Sequence, residues 1–175
     1  MPETLPKVLG FAAYSGTGKT TLLTGLIPML KDTGLRIGVI KYSHHDFEID
    51  QPGKDSFKLR KAGATPLMLV SPYRRVLIDE FPAPCEIILA EQIQAFAASH
   101  TDLILVEGFR EQAFPKIELH RPSLGKPLLY PNDSGIIAIA SDQPLATPPH
   151  LPCLDLNDRQ AICQFIIRQF LGMGA

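Results

Sequence analysis

The sequence has little of what several broad functions would require. Its 175 residues hold 17 Lys and Arg against 18 Asp and Glu, a net charge of −1. The basic residues are scattered, so the electrostatic footprint of a nucleic-acid binder is missing. Cys85, Cys153 and Cys163 are odd in number and lack Cys-x-x-Cys spacing; set among apolar neighbours, they read as reduced thiols used for packing. No apolar stretch approaches the roughly 20 residues that span a bilayer. The N-terminus, with Pro2, Glu3 and Pro6, lacks a charged start followed by a long apolar run. The expectation is a soluble, cytoplasmic protein with no nucleic-acid or membrane partner. Internal repeats and low-complexity segments are absent as well. What is present, at 45% hydrophobic content, suffices for one well-packed domain over residues 1–175.

The strongest positive signal is Ala13-Tyr14-Ser15-Gly16-Thr17-Gly18-Lys19-Thr20-Thr21, between the apolar run 8–12 and the helical pattern Leu22, Leu23, Leu26, Ile27 and Leu30. Strand, tight loop and helix follow one another. Such a loop points successive backbone N–H groups at a phosphate chain, and the helix N-terminus adds its partial positive charge. Ser15, Gly16, Thr17, Gly18, Lys19, Thr20 and Thr21 are therefore expected to bind nucleotide. Lys19 would reach the β- and γ-phosphates and serve catalysis, and the Thr20 hydroxyl would hold Mg²⁺. The general pattern has Gly where Ala13 stands, so the first turn must use backbone angles open to a residue with a Cβ.

Further along, Pro28 is expected to kink the first helix or disturb its last turn, and Gly34 to stop it. Residues 36–42 read as a second strand, giving a βαβ unit and a parallel sheet. Residues 43–56 form a polar loop at a strand's C-terminal end, where open α/β sheets bind ligands. Asp50 and Asp55 are its better candidates for orienting a water or helping to hold Mg²⁺, although a merely solvated loop explains the composition equally well. His44 and His45 are adjacent, which is not zinc-ligand spacing. After a short helix at 56–62, runs 67–70 and 76–78 could form a hairpin. Neither run alternates, so both faces need cover from this subunit or a partner. A helix is expected over 86–98, with Ile87, Ala90, Ile93, Phe96 and Ala97 inward.

Residues 102–109 read as a buried strand ending in Glu107, a carboxylate placed to join the metal's shell; Asp102 is as readily a cap at the strand's start. Residues 116–120 alternate like a half-exposed strand, and 121–133, rich in Pro and Gly, could fold over the cleft. Strand 135–140 ends near Asp142. That carboxylate could accept the N1 and N2 protons of guanine, although the Asn-Lys-x-Asp signature is absent and an Asx turn before Pro144 accounts for it too. Asn157 with Gln160 suggests a capping box for a last helix through Leu171. These elements predict an α/β, three-layer phosphate-loop NTPase fold, with a mainly parallel sheet flanked by helices and a β-hairpin extension.

Three further stretches carry a resemblance: Lys41-Tyr42-Ser43-His44-His45-Asp46, then Pro52-Gly53-Lys54-Asp55-Ser56 with Lys61-Ala62-Gly63-Ala64, and residues 102–109. With the phosphate loop, they resemble the MobB family of molybdopterin-guanine dinucleotide biosynthesis adaptors. Ala13 is usual in that likeness. The resemblance implies GTP binding with Mg²⁺, slow hydrolysis, a homodimer, and help to a MobA-like molybdopterin guanylyltransferase, with molybdopterin itself as a further partner. Glu107, with Asp50 or Asp55, would complete the metal side. A small-molecule kinase is the alternative, since the same loop would serve phosphoryl transfer with Arg121 and Lys126 on the moving phosphate. It ranks second because no residue stands out as base for an acceptor hydroxyl. A third reading is an interaction module that keeps nucleotide only for structure.

Overall fold

A computed structural model describes residues 5–96, 99–146 and 149–174. Two compact units divide the chain, residues 1–42 with 89–175, and residues 43–88. The first unit is built on a six-stranded sheet. Its strands are β1 (Lys7–Ala12), β2 (Ile37–Lys41), β5 (Leu103–Glu107), β6 (Lys116–His120), β7 (Ile136–Ser141) and β8 (Cys153–Asp155), in the order β2-β5-β1-β6-β7-β8. Every neighbouring pair is parallel, as an α/β reading requires. Among the flanking helices are α1 (Lys19–Asp32), α3 (Leu89–Gln94) and α4 (Arg159–Phe165).

Apolar side chains that alternate along the strands share one face of the sheet. Leu9 and Phe11, Leu103 and Leu105, Ile117 and Leu119 join Leu22, Leu26 and Leu30 of α1 and Ile162, Phe165 and Ile166 of the C-terminal helix in one core cluster. Helix α1 runs without interruption through Pro28, which is exposed. It ends on Thr33 and Gly34 N–H groups, which donate to the Leu30 and Lys31 carbonyls three residues back, a tightened 3₁₀-type turn. Gly10 lies inside β1 because a Cβ there would stand 2.5 Å from a ring carbon of Phe114 and 2.9 Å from Cγ of Lys116.

Strand β6 corrects the sequence reading. It is buried throughout, Lys116, Glu118 and His120 included. The alternation is real, but its polar face meets residues 121–133 instead of water. Glu118 accepts the N–H groups of Leu129 (2.7 Å) and Tyr130 (2.9 Å), and Lys116 Nζ lies 2.9 Å from an Asp133 oxygen. Partners for charge and backbone allow polar side chains to be covered.

Helix α3 begins three residues later than expected. Leu89 is its buried residue, Ala90 is exposed, Ile93 and Phe96 are half-buried, and Ala97 lies outside the described residues. The last helix is capped by Asp158, whose carboxylate accepts from Ala161 N–H, so the cap stands one residue beyond Asn157. Residues 166–170 continue it as a π-turn, with Leu171 N–H donating to Ile166 O before Gly172 (φ 69°) closes the element. Strand β8 carried no legible signal. Only Cys163 is buried; Cys85 and Cys153 are exposed, so the packing role holds for one thiol of three.

The second unit contains α2 (Asp55–Lys61) and an antiparallel hairpin, β3 (Leu67–Val70) and β4 (Arg75–Ile78). Arg60 is its hub, buried and paired with Glu48 and Glu80, with Asp50 at 4.0 Å. One face of the hairpin is uncovered: Met68, Val70 and Leu77 are 52%, 70% and 57% exposed, while Leu67, Val76 and Ile78 on the other face are half-buried. Cover of both faces by this subunit is therefore not what the chain provides.

Candidate functional site

The parallel sheet aims the C-terminal ends of β1, β5, β2 and β7 at one edge, and the phosphate-loop residues leave β1 there. Gly16 and Gly18 take φ of 81° and 101°, angles that L side chains rarely adopt, and Gly18 is the residue before α1. Ala13 is not among the residues with positive φ, which explains why a Cβ is tolerated at the first position. Thr17, buried, braces the loop from inside: its Oγ1 donates to Tyr14 O at 2.8 Å. Ser15, Gly16, Thr20 and Thr21 are exposed.

Lys19 bends back over the loop, its Nζ 3.2 Å from the Ala13 carbonyl. Burial holds its pKa below the usual lysine value; Glu107 opposes that shift and Lys41 adds to it. The same edge carries Glu107 at the end of β5, its carboxylate 3.5 Å from Lys41 Nζ and mostly buried. Asp102, at the other end of β5, is a structural residue. It pairs with Arg36 through two side-chain hydrogen bonds and accepts the Arg36 N–H, and these bonds hold its carboxyl at a pKa of about 2. The cap reading of Asp102 is thus the one realised.

Thr20 hydroxyl and Glu107 carboxylate are hard oxygen donors and fit the chemistry of Mg²⁺, which takes one or two protein oxygens along with phosphate and water. Among the described residues no group of three or more His, Cys, Asp or Glu converges for a metal, and His44 and His45 join none. Asp50 and Asp55 lie in the second unit. Asp50 accepts from Ser56 Oγ at 3.0 Å and from Gln51 N–H, while Asp55 is exposed and 3.3 Å from Lys58.

Arg121, which follows β6, takes partners that its sequence neighbours do not announce. Its Nε donates to Thr17 O at 2.9 Å and its Nη1 to Asp142 Oδ2 at 2.6 Å. Asp142 is therefore engaged at one oxygen; the other, Oδ1, is buried without a hydrogen-bond partner. The expected Asx turn is made by Ser141 instead, whose Oγ bonds to the Gln143 backbone. His120 adjoins this pair; burial pushes its pKa down and the Asp142 charge opposes that. A cleft of about 430 Å³ opens beside Asp142, lined also by Gln143, Pro144, Leu145, Leu154 and Asp155. Lys126 is exposed.

Comparison with known proteins agrees with this architecture. Residues 8–142 match the family MobB, molybdopterin guanine dinucleotide synthesis protein B. A molybdopterin-guanine dinucleotide biosynthesis adapter protein of Escherichia coli is 45% identical over 166 residues, 94% of each chain. A protein of the same name from Haemophilus influenzae is 42% identical, over 91% of this chain and 86% of its own. Among solved structures, a MobB homolog from Bacillus stearothermophilus superposes with a TM-score of 0.70 at 22% identity, covering 94% of this chain and 98% of its own. A second, molybdopterin-guanine biosynthesis protein B, gives 0.71 at 24%, covering 93% and 99%. At those identities the likeness speaks for the fold, a six-stranded parallel sheet with an antiparallel hairpin. The family match and the close relatives speak for descent: the chain belongs to the MobB family.

Proposed function

We propose that the chain is a GTP-binding adaptor in the formation of molybdopterin guanine dinucleotide, with Mg²⁺ as its metal and slow hydrolysis as its only chemistry. One observation carries the nucleotide part: a glycine-shaped loop leaves a parallel strand and opens a helix, with a desolvated lysine and a strand-end carboxylate beside it. The adapter role rests on the relatives' names.

In this reading Ser15 to Thr21 surround the phosphates, and Lys19 leaves the Ala13 carbonyl for the phosphate oxygens. Thr20 and Glu107 hold Mg²⁺, which would supply charge neutralisation at the β- and γ-phosphates. The base occupies the cleft beside Asp142. Pro144, Leu145 and Leu154 give it apolar walls, and Asp142 is the carboxylate that would accept from guanine N1–H and N2–H. Asp50 and Asp55 enter as candidates for orienting water, and their replacement by Asn tests this through the hydrolysis rate alone. Two subunits associate through the exposed hairpin, and the dimer serves a MobA-like guanylyltransferase and its molybdopterin.

The fate of the γ-phosphate separates this from a kinase. Phosphate release from GTP is expected to ignore added small hydroxyl compounds and to respond only to the partner enzyme. Transfer of the γ-phosphate to molybdopterin or another metabolite would replace the adaptor by a kinase.

A further inference from the structure

Arg121 does three things at once. Its Nε donates to the Thr17 carbonyl, its Nη1 pairs with Asp142, and its Nη2 lies 3.7 Å from where a Cβ on Gly18 would stand. Both partners of the ion pair are more than half buried, with side-chain exposures of 31% for Arg121 and 15% for Asp142. The planar fork of a guanidinium can satisfy two acceptors set at an angle, which an ammonium cannot do with the same fixed geometry. Arg121 and Asp142 come from the ends of β6 and β7, and Thr17 from the loop after β1, so the bonds join three strands at one edge.

The consequence for the loop follows from peptide geometry. A trans peptide is planar, and its C=O and N–H point in opposite directions. Fixing the Thr17 carbonyl on Arg121 turns the N–H of Gly18 away from Arg121. From this we infer that Arg121 is a positioning residue: clamped by Asp142, it sets the Thr17–Gly18 peptide so that the Gly18 N–H meets the phosphates of the bound nucleotide. The inference rests on the nucleotide-binding reading and deepens it. Gly18 is required at its position by its φ of 101°.

A backbone N–H in such a loop serves phosphates that GTP and GDP share. The test is therefore the affinity of GTP and of GDP, each with Mg²⁺, for the wild type, Arg121→Lys and Arg121→Ala. Unfolding midpoints and the Gly18 amide resonance of the nucleotide-free proteins are recorded alongside. The expected result is a loss of roughly tenfold for both nucleotides in Arg121→Ala, with partial recovery in Arg121→Lys and a displaced Gly18 resonance in both variants. The GTP-to-GDP affinity ratio should stay constant. Loss of GTP affinity alone would mean a direct contact to the γ-phosphate and would overturn the positioning role. Unchanged affinity with a lowered unfolding midpoint would reduce the clamp to a structural tie. If Arg121→Ala does not fold, Arg121→Lys decides on the same measures. A wild type that binds neither nucleotide would defeat the nucleotide reading itself, and the inference with it.

Discussion

Single residues at the sheet edge show how environment assigns roles to like side chains. Asp102 precedes and Glu107 ends the same strand, yet one is tied to Arg36 and the other sits beside Lys41 and the lysine of the loop. If Glu107 belongs to the Mg²⁺ shell, Glu107→Gln should weaken nucleotide binding in Mg²⁺ by about 10- to 100-fold, while binding in chelator changes little. Equal affinities for mutant and wild type in Mg²⁺ would remove Glu107 from the site. Asp102 makes a prediction about pH. Its folded pKa, about 2, is below the ordinary 3.8, so its ion pair stabilises the fold above pH 4 and loses that effect as pH falls towards 2. The pair is partly exposed, so the effect is modest. Urea midpoints of wild type and Asp102→Asn should differ at pH 5 and converge near pH 2; a constant gap would show that the carboxylate's charge is not what matters.

At the scale of elements, legibility followed how locally each signal is written. The loop from Ser15 to Thr21 was plain because its glycines, lysine and hydroxyls are contiguous and the flanking strand and helix announce themselves. Strand β6 was half legible. Its period of two is correct, but the cover over Lys116 and Glu118 comes from residues 121–133, through the Asp133 carboxylate and the Leu129 and Tyr130 N–H groups, contacts that no sequence pattern displays. The shift of the last cap from Asn157 to Asp158 is of the same kind, since adjacent residues with similar side chains compete for one role. Arg121 was legible only as a basic residue for a moving phosphate; its ties to Thr17 and Asp142 were not, because those partners are distant in sequence. The hairpin was legible as two apolar runs, and its exposure adds what the runs alone left open. A bare two-stranded ribbon is marginal in water, and an uncovered apolar edge invites pairing. Sedimentation at micromolar concentration should therefore show a dimer, and Val70→Asp with Leu77→Asp should give a monomer. A monomeric wild type would contradict association through this element.

For the whole molecule, the parallel order β2-β5-β1-β6-β7-β8 explains how residues spread from 13 to 142 reach one edge. Strand β1 is central, so the loop it launches has Glu107 on one neighbouring strand and Arg121 after the other. Fold and family are the parts best settled by the chain itself; the nucleotide is the claim on which the proposed function depends. Calorimetric titration with a non-hydrolysable GTP analogue in Mg²⁺, on wild type and Lys19→Ala, tests it most directly. Losing a charge-assisted contact to phosphate costs about 1.5–3 kcal/mol, on the order of 10- to 100-fold in affinity. The account predicts saturable binding by the wild type, tighter than for the ATP analogue, and a loss of that size in a Lys19→Ala protein whose unfolding midpoint is unchanged. Equal affinity of the two proteins for the GTP analogue, or no binding by either, would contradict it.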